Sequence, residues 1–367
     1  MTEAIVTSRP LPLLEGGYSG KTAAAQGGND QGQAIALQGA EQLTLSVSQG
    51  DPYLLAEQLL SQNHGLLPLP EADSYSRVLY PSISPSAEEI QDDSRQLHRD
   101  LQKSSDHYNK ANANSAARAA STPDDVGTPP HIEALENMIS TIHGDYQKTY
   151  SEINQKAAEY MKEVNTAVGK ISDYIGPGSD GRITFRVSEL VDAMDKIFDK
   201  YTNGIPNKIY ISTQDNDGNF ISIPEVTKDD YKNWSPDDSS TKPIYTFKGD
   251  DAALNFWEKK LGSGFIVKKG DDGDINILPN LSPIRQIYSS IAHATVGWDS
   301  GSGPGEITSQ GFQTLQSAID SQKNAVNSSV SQLLERFRQD NSTFETLIQL
   351  LTKMTEDLHR YNAGYIQ

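Results

Sequence analysis

The side chains that could do chemistry are badly placed for it. Asp215-Asn216-Asp217-Gly218-Asn219 looks like part of a calcium loop. Aligning Gly218 with the loop glycine puts Thr213 at the first ligand position and Pro224 at the twelfth, where a bidentate Glu is needed, so the match fails. Gly270-Asp271-Asp272-Gly273-Asp274 likewise reads as a hairpin tip. The seven histidines show no HExxH or comparable spacing. The chain has no cysteine, which excludes disulfides and thiolate metal sites. No GxSxG, P-loop or dinucleotide fingerprint occurs, and the many carboxylates are scattered. No catalytic residue, metal site or cofactor is therefore expected, and no enzymatic activity.

Composition narrows the classes further. The 367 residues carry a formal net charge of −18, which repels a phosphate backbone and disfavours nucleic acid or an anionic membrane surface as partner. Only 36% of residues are hydrophobic, and mean hydropathy is −0.56. Thin cores and long solvated helix faces fit these values better than one large globule. The first 30 residues lack an apolar core of signal-peptide length, and no run is long enough for a transmembrane helix. Export that reads an uncleaved polar N-terminus is compatible with this.

Two long helices must do the positioning. One seam runs Ile132, Leu135, Ile139, Ile142, Tyr146, Tyr150, Ile153, Ala157, Tyr160, Val164, Ala167, Ile171, Tyr174. The other runs Phe312, Leu315, Ile319, Gln322, Val326, Val330, Leu333, Phe337, Asp340, Phe344, Leu347, Leu351, Met354, Leu358, Tyr361, Tyr365. Steps of three and four alternate, and all positions are apolar except Gln322 and Asp340. This is the pattern of an antiparallel coiled coil closed within one chain, with something inserted between its arms. The arms span about 66 Å and about 80 Å at about 1.5 Å per residue. Each contains one doubled four-residue step, at Ile142-Tyr146-Tyr150 and Gln322-Val326-Val330, a stutter that should locally unwind the supercoil.

The predicted class is mainly α with a small α+β insertion. Residues 1–40 lack periodicity and read as disordered. Residues 41–125 read as a helical hairpin: Asp51-Pro52 starts one helix, with Tyr53, Leu54, Leu55, Leu59 and Leu60 on a broad face, and Ser86 to Glu89 forms a capping box for a second. That second helix carries a sparse stripe of Ile90, Leu97, Leu101 and Tyr108. Residues 131–175 form the first arm, 176–305 a mixed α/β unit, and 306–367 the second arm. The mixed unit shows strands at 182–187, 208–212, 219–223, 244–247, 264–268 and 274–278, with helices at 188–201, 252–261 and from Ser282. Antiparallel pairing places this unit at the far end of the rod and brings Tyr361 and Tyr365 toward Ile132 and Leu135.

Gln322 and Asp340 read as register devices, as a face opened to solvent where the partner arm has ended, or as places where another chain docks. A groove between hairpin, arms and insert could accept an amphipathic small molecule. A helical pore-forming toxin or translocator-like secreted effector is the alternative class, but it needs a long apolar hairpin that this chain lacks.

With these features in place, the chain resembles the type III secretion needle-tip proteins of the IpaD, SipD and BipD group. The likeness covers residues 41 to the C-terminus. It is carried by Ile171 to Gly181 (ISDYIGPGSDG) with the strand and helix after it, by Ala252 to Lys268 leading into Leu281-Ser-Pro-Ile-Arg-Gln-Ile, and by the long last helix. The resemblance implies an uncleaved export segment at 1–40 and a hairpin that shields the coiled coil as a self-chaperone. It implies a protein secreted through the type III apparatus and held at the bacterial surface, a monomer in solution and a pentamer at the needle tip. There it would control secretion, sense host cues such as bile salts, and recruit a translocator protein. It places docking on the needle protomer in Leu347 to Gln367, with Leu347, Lys353, Asp357, Arg360, Tyr361, Tyr365 and Gln367 as candidates. The seam residues Ile132, Ile139, Tyr146, Tyr150, Tyr160, Ile171, Leu333, Phe337, Phe344, Leu351 and Leu358 would hold the rod.

Overall fold

The computed structural model describes residues 34–35, 43–44, 51–62, 86–121, 130–206, 209–214, 217–225, 227–236, 239–270, 272–294 and 305–365. The two-residue strands β1 (Ala34–Ile35) and β2 (Leu43–Thr44) pair antiparallel. The rest of the expected export segment lies outside the described residues.

Helix α1 (Pro52–Gln62) starts as expected, with the Asp51 side chain accepting from the Tyr53 amide at 2.9 Å. Its face differs from the expected one. Tyr53, Ala56 and Leu59 are buried, whereas Leu54 is 56% exposed, because a 3.6-residue period turns it to the opposite side. Helix α2 (Ala87–Ser121) opens with the expected capping box: Ser86 Oγ accepts from the Glu89 amide, and the Glu89 carboxylate from the Ser86 amide. It is long, at 35 residues. Its stripe is not sparse, because Ile90, Ser94, Leu97, Leu101, Ser104, Tyr108 and Ala111 step by four and three and are buried or half-buried. Two serines complete a heptad seam.

The first arm is α3 (Pro130–Thr141), a π turn (Ile142–Gln147), α4 (Lys148–Gly169) and a 3-10 turn (Lys170–Tyr174). The π turn falls on the predicted stutter. Two successive steps of four exceed what two α turns supply, and a wider turn absorbs the surplus residue while keeping Ile142 and Tyr150 buried.

The chain then runs through β3 (Ile175–Pro177), β4 (Ile183–Phe185), α5 (Val187–Phe198), β5 (Ile209–Gln214), β6 (Phe220–Glu225), α6 (Lys228–Lys232), β7 (Tyr245–Lys248), α7 (Asp251–Leu261), β8 (Phe265–Lys269), β9 (Asp274–Pro279), α8 (Ser282–Ala294) and β10 (Gly305–Ile307) to α9 (Ser309–Tyr365). Sheets are small and antiparallel, in the orders β10-β4-β3, β5-β6 and β7-β9-β8. The β5–β6 turn has Gly218 at φ 82°, the left-handed conformation that the Asp-Gly pair predicts. Asp215 and Asn216, on which the calcium-loop comparison partly fell, and Asp271 of the second hairpin tip lie outside the described residues.

The arms pair antiparallel. The Tyr150 and Phe337 rings lie 4.3 Å apart, Gln147 donates to Asn341 at 2.9 Å, and Asn165 donates to Asn327 at 2.8 Å. Strands β3, β4 and β10 close the far end, with Glu306 accepting from both the amide and the hydroxyl of Ser179.

The remainder of the mixed unit departs from the expected placement at that end. It folds back along the rod: Trp257 of α7 packs edge-on to Tyr150 at 5.1 Å, about 36 Å down the arm from Tyr174, and α8 lies on α9. The apolar faces of α7 and α8 are buried there, on the side of the coiled coil.

Candidate functional site on and around the coiled coil

Asp340 interrupts the second seam, and the structure supplies its partner. Lys260, in the last turn of α7, places Nζ 3.0 and 2.9 Å from the two Asp340 carboxylate oxygens. The same ammonium lies 2.9 Å from Asp51 Oδ2, the cap of α1, and within 5.3 and 5.6 Å of the Tyr53 and Phe256 rings. One cation thus joins three elements that are distant in sequence. Asp340 is 5% exposed. Burial pushes its carboxyl up to about 6 against the pull of Lys260, with Asp51 and Glu57 adding to the rise. Burial works to lower the Lys260 ammonium, but the two carboxylates outweigh it and hold it above its ordinary range.

Around this ion cluster the core is aromatic and incompletely satisfied. Tyr53 and Tyr150 hydroxyls, both Asn154 side-chain polar atoms and Trp257 Nε1 are buried without a hydrogen-bond partner. Burial also pushes the Tyr53 and Tyr150 phenols well up, so both stay protonated. Beneath α2, Asn341 Oδ1 accepts from Gln147 at 2.9 Å and from Ser104 at 3.3 Å, while Asn154, between the α4 residues Ser151 and Gln155 that bond His98, is the unpartnered group there. Sequence reasoning missed Lys260, Asp51 as its ion partner, and the Gln147–Asn341 pair. A seam aspartate signals a buried cation partner, but nothing local says which lysine reaches it.

Gln322 has a different explanation. It is half-buried and lines a cleft of about 200 Å³ with Tyr160, Gly264, Phe265, Asn280, Gln286, Val326 and Ser329. The cleft lies where both arms meet the mixed unit; the helical hairpin contributes none of its lining, so it is not the groove expected between hairpin, arms and insert. Its volume falls below the range of about 300–1,000 Å³ typical of small-molecule sites.

The predicted docking residues separate. Leu347 is 0% exposed and belongs to the core, so it offers no surface for docking. Lys353 is exposed; Asp357 and Arg360 are exposed and lie 3.8 Å apart. The side chains of Leu358, Tyr361 and Tyr365 and all of Gln367 lie outside the described residues. The expected approach of Tyr361 and Tyr365 to Ile132 and Leu135 falls on side chains outside the described residues. Extending the register of the Gln147–Asn341 and Tyr150–Phe337 contacts along the first arm puts Ile132 level with roughly residues 354–356, so the backbone of α9, which runs to Tyr365, continues past the start of that arm. Of the seam residues, Ile132, Ile139, Tyr150, Tyr160, Leu333, Phe337, Phe344 and Leu351 are buried, while Tyr146 and Ile171 are half-buried.

A second exposed feature is apolar. Phe220 and Ile221 at the start of β6 are 76% and 41% exposed. Among the described residues no helix is long and apolar enough to cross a membrane, and no group of three potential ligands converges as a metal site.

These features define a helical rod with an α/β unit laid along it, an architecture for assembly. The chain belongs to the family of type III secretion systems tip complex components, whose sequence profile matches residues 82–356, well over half of it. Cell invasion protein SipD of Salmonella typhi is 22% identical over 221 residues, covering 60% of this chain. The match spans 56% of SipD's own length. BipD, a type III secretion component of Burkholderia pseudomallei, shares the fold with a TM-score of 0.50 at 15% identity, over 76% of this chain and 83% of BipD. A second BipD structure gives a TM-score of 0.50 over 75% of this chain and 83% of BipD. The family is one of tip-complex components.

Proposed function

We propose that this protein caps the needle of a type III secretion apparatus. Exported through that apparatus, it assembles at the tip from solution monomers into a pentamer. There it holds back secretion, responds to host cues such as bile salts, and recruits a translocator protein. Residues 1–40 serve as export segment and 41–125 as self-chaperone; 131–175 and 306–367 form the rod, and 176–305 the mixed unit. The carrying observation is the family match over most of the rod and insert. The last turns of α9, which outrun the first arm, are the reading's needle-docking surface. A channel-threaded protein gains from having no disulfide and from refolding through local helical contacts.

Deleting Leu358–Gln367 is expected to abolish tip assembly on needles while the purified protein stays helical by circular dichroism. Normal assembly by the truncated chain would refute docking through this end. For the ligand, the reading takes the Gln322 cleft as the bile-salt site, widened on binding. Calorimetric titration with a bile salt, repeated on Gln322→Trp, should show binding only in the parent chain.

A further inference from the structure

We propose that Lys260 is the pin by which the mixed unit holds α1 on the coiled coil, so that moving α7 off the rod makes the site repulsive and expels α1. The geometry is a single ammonium between two carboxylates, Asp51 on α1 and Asp340 on α9. The other charges near it add no attraction for α1. Glu57 of α1 is a further acid acting on Asp340, and the Arg336 guanidinium of α9 is turned to the Lys260 carbonyl at 2.7 Å. With the ammonium present, each acid is paired. With it gone, Asp340, already raised to about 6 beside Lys260, must either stay ionised facing the acids of α1 in a poorly hydrated place or bind a proton, and only above the pH of that protonation is the repulsion complete.

The helix being held is short and weakly bound. At 11 residues α1 falls below the length at which isolated helices persist, so its structure depends on its seat. The seat leaves the Tyr53 and Tyr150 hydroxyls and Trp257 Nε1 buried without partners, and opening would let water reach them. Lys260 sits one residue before the end of α7, where Arg336 also grips the chain. A displacement of α7 therefore withdraws the pin itself. This deepens the self-chaperone reading by making α1, rather than the whole hairpin, the removable cover, and it rests on that reading. The test uses the isolated full chain without needles, so its failure would leave docking by the C-terminal end standing.

Hydrogen exchange of the full-length protein at pH 9, above the range in which Asp340 takes up a proton once Lys260 is removed, decides it. In Lys260→Met, which keeps the aliphatic stem, protection across residues 53–62 should fall about tenfold or more while α2 and α9 stay near parental values. Adding Asp340→Asn to Lys260→Met should restore most of it, because the repulsion is removed. Asp51→Asn keeps a capping side chain and should loosen α1 less than Lys260→Met does. Unchanged α1 protection in Lys260→Met would overturn the proposal. So would a loss spread evenly over α1, α2 and α9, a loss that Asp340→Asn does not reverse, or a larger loss in Asp51→Asn. If Lys260→Met does not fold, Asp51→Asn alone tests the pin: it must loosen α1 selectively, and parental protection there would sink the idea.

Discussion

Helix α1 lays Tyr53, Ala56 and Leu59 on the core and is held at its start by an ion cluster, whereas α2 lays a heptad seam of seven positions along α9 and α4. Both helices cover the same long helix. Under α2, the buried polar groups Ser104, Gln147 and Asn341 satisfy one another. Under α1, the Tyr53 and Tyr150 hydroxyls and Trp257 Nε1 do not, and on the α2 side Asn154, next to the α4 residues that bond His98, is the exception. A long cover whose central polar groups bond one another behaves as part of the rod; a short cover fixed by one lysine behaves as an attachment. The difference teaches that permanence here follows length and polar satisfaction more than apolar content.

The strongest way to break this contrast is to delete equivalent apolar bulk from each seat. Phe344 is fully buried beside the Tyr108 and His143 rings, at 6.4 and 6.0 Å. Phe344→Ala should cost about 3–5 kcal/mol and lower the main melting transition in calorimetry. Leu59→Ala on α1 should leave that transition in place and loosen only α1. Equal falls in melting temperature would show that α1 melts with the rod and that the distinction is false.

A smaller effect probes the network under α2. Asn341→Ala strips the acceptor from Gln147 and Ser104 and should cost about 1–3 kcal/mol by chemical denaturation. A double-mutant cycle with Gln147→Ala should show clear coupling, since one bond joins the two. Additive losses would mean that the π turn is held by packing alone. Weaker again is Ser86→Ala, which removes one half of the α2 capping box and should cost about 1 kcal/mol. Its effect should stay within α2 and leave α1 exchange unchanged.

Much of the rod could be read from spacing. The two seams gave both arms and their antiparallel sense, and the doubled step at Ile142-Tyr146-Tyr150 marked the residues that form the π turn. The matching step at Gln322-Val326-Val330 produced no π turn; α9 stays helical there and turns Gln322 to the cleft. Spacing alone does not tell whether a stutter is met by an inserted residue or by a change of neighbour. The seam of α2 looked sparse because Ser94 and Ser104 are polar by type, yet they are small enough to be buried at seam positions. The fold-back of the mixed unit and the reach of Lys260 to Asp340 depend on contacts 80 residues apart, which no local period encodes. The docking candidates came from resemblance, and burial removed Leu347 from the surface.

The finest test of the contrast is the sign of each seat's response to acid. Asp340, under α1, has its carboxyl raised by burial to about 6 from an ordinary 3.8. Between those values the folded state binds the proton that the unfolded state releases, so this group adds stability as pH falls through 6, levelling off near 4. Going from pH 7 to pH 5 the gain is on the order of 1 kcal/mol at most. Protonating Asp340 also leaves Lys260 to Asp51 alone, so α1 keeps its hold. His143, under α2, has its imidazole lowered from 6.5 by burial, against Tyr108 at 4.6 Å. There the unfolded state binds the proton first, so stability is lost as pH falls from 6.5 toward the folded value. Exchange corrected for intrinsic rates should therefore show α1 protection holding or rising from pH 7 to pH 5, while protection in the middle of α2 falls. Asp340→Asn should flatten the first trend and His143→Asn the second. If both seats move in the same direction in the parent chain, acid acts on the rod as a whole and the two covers are not energetically separate.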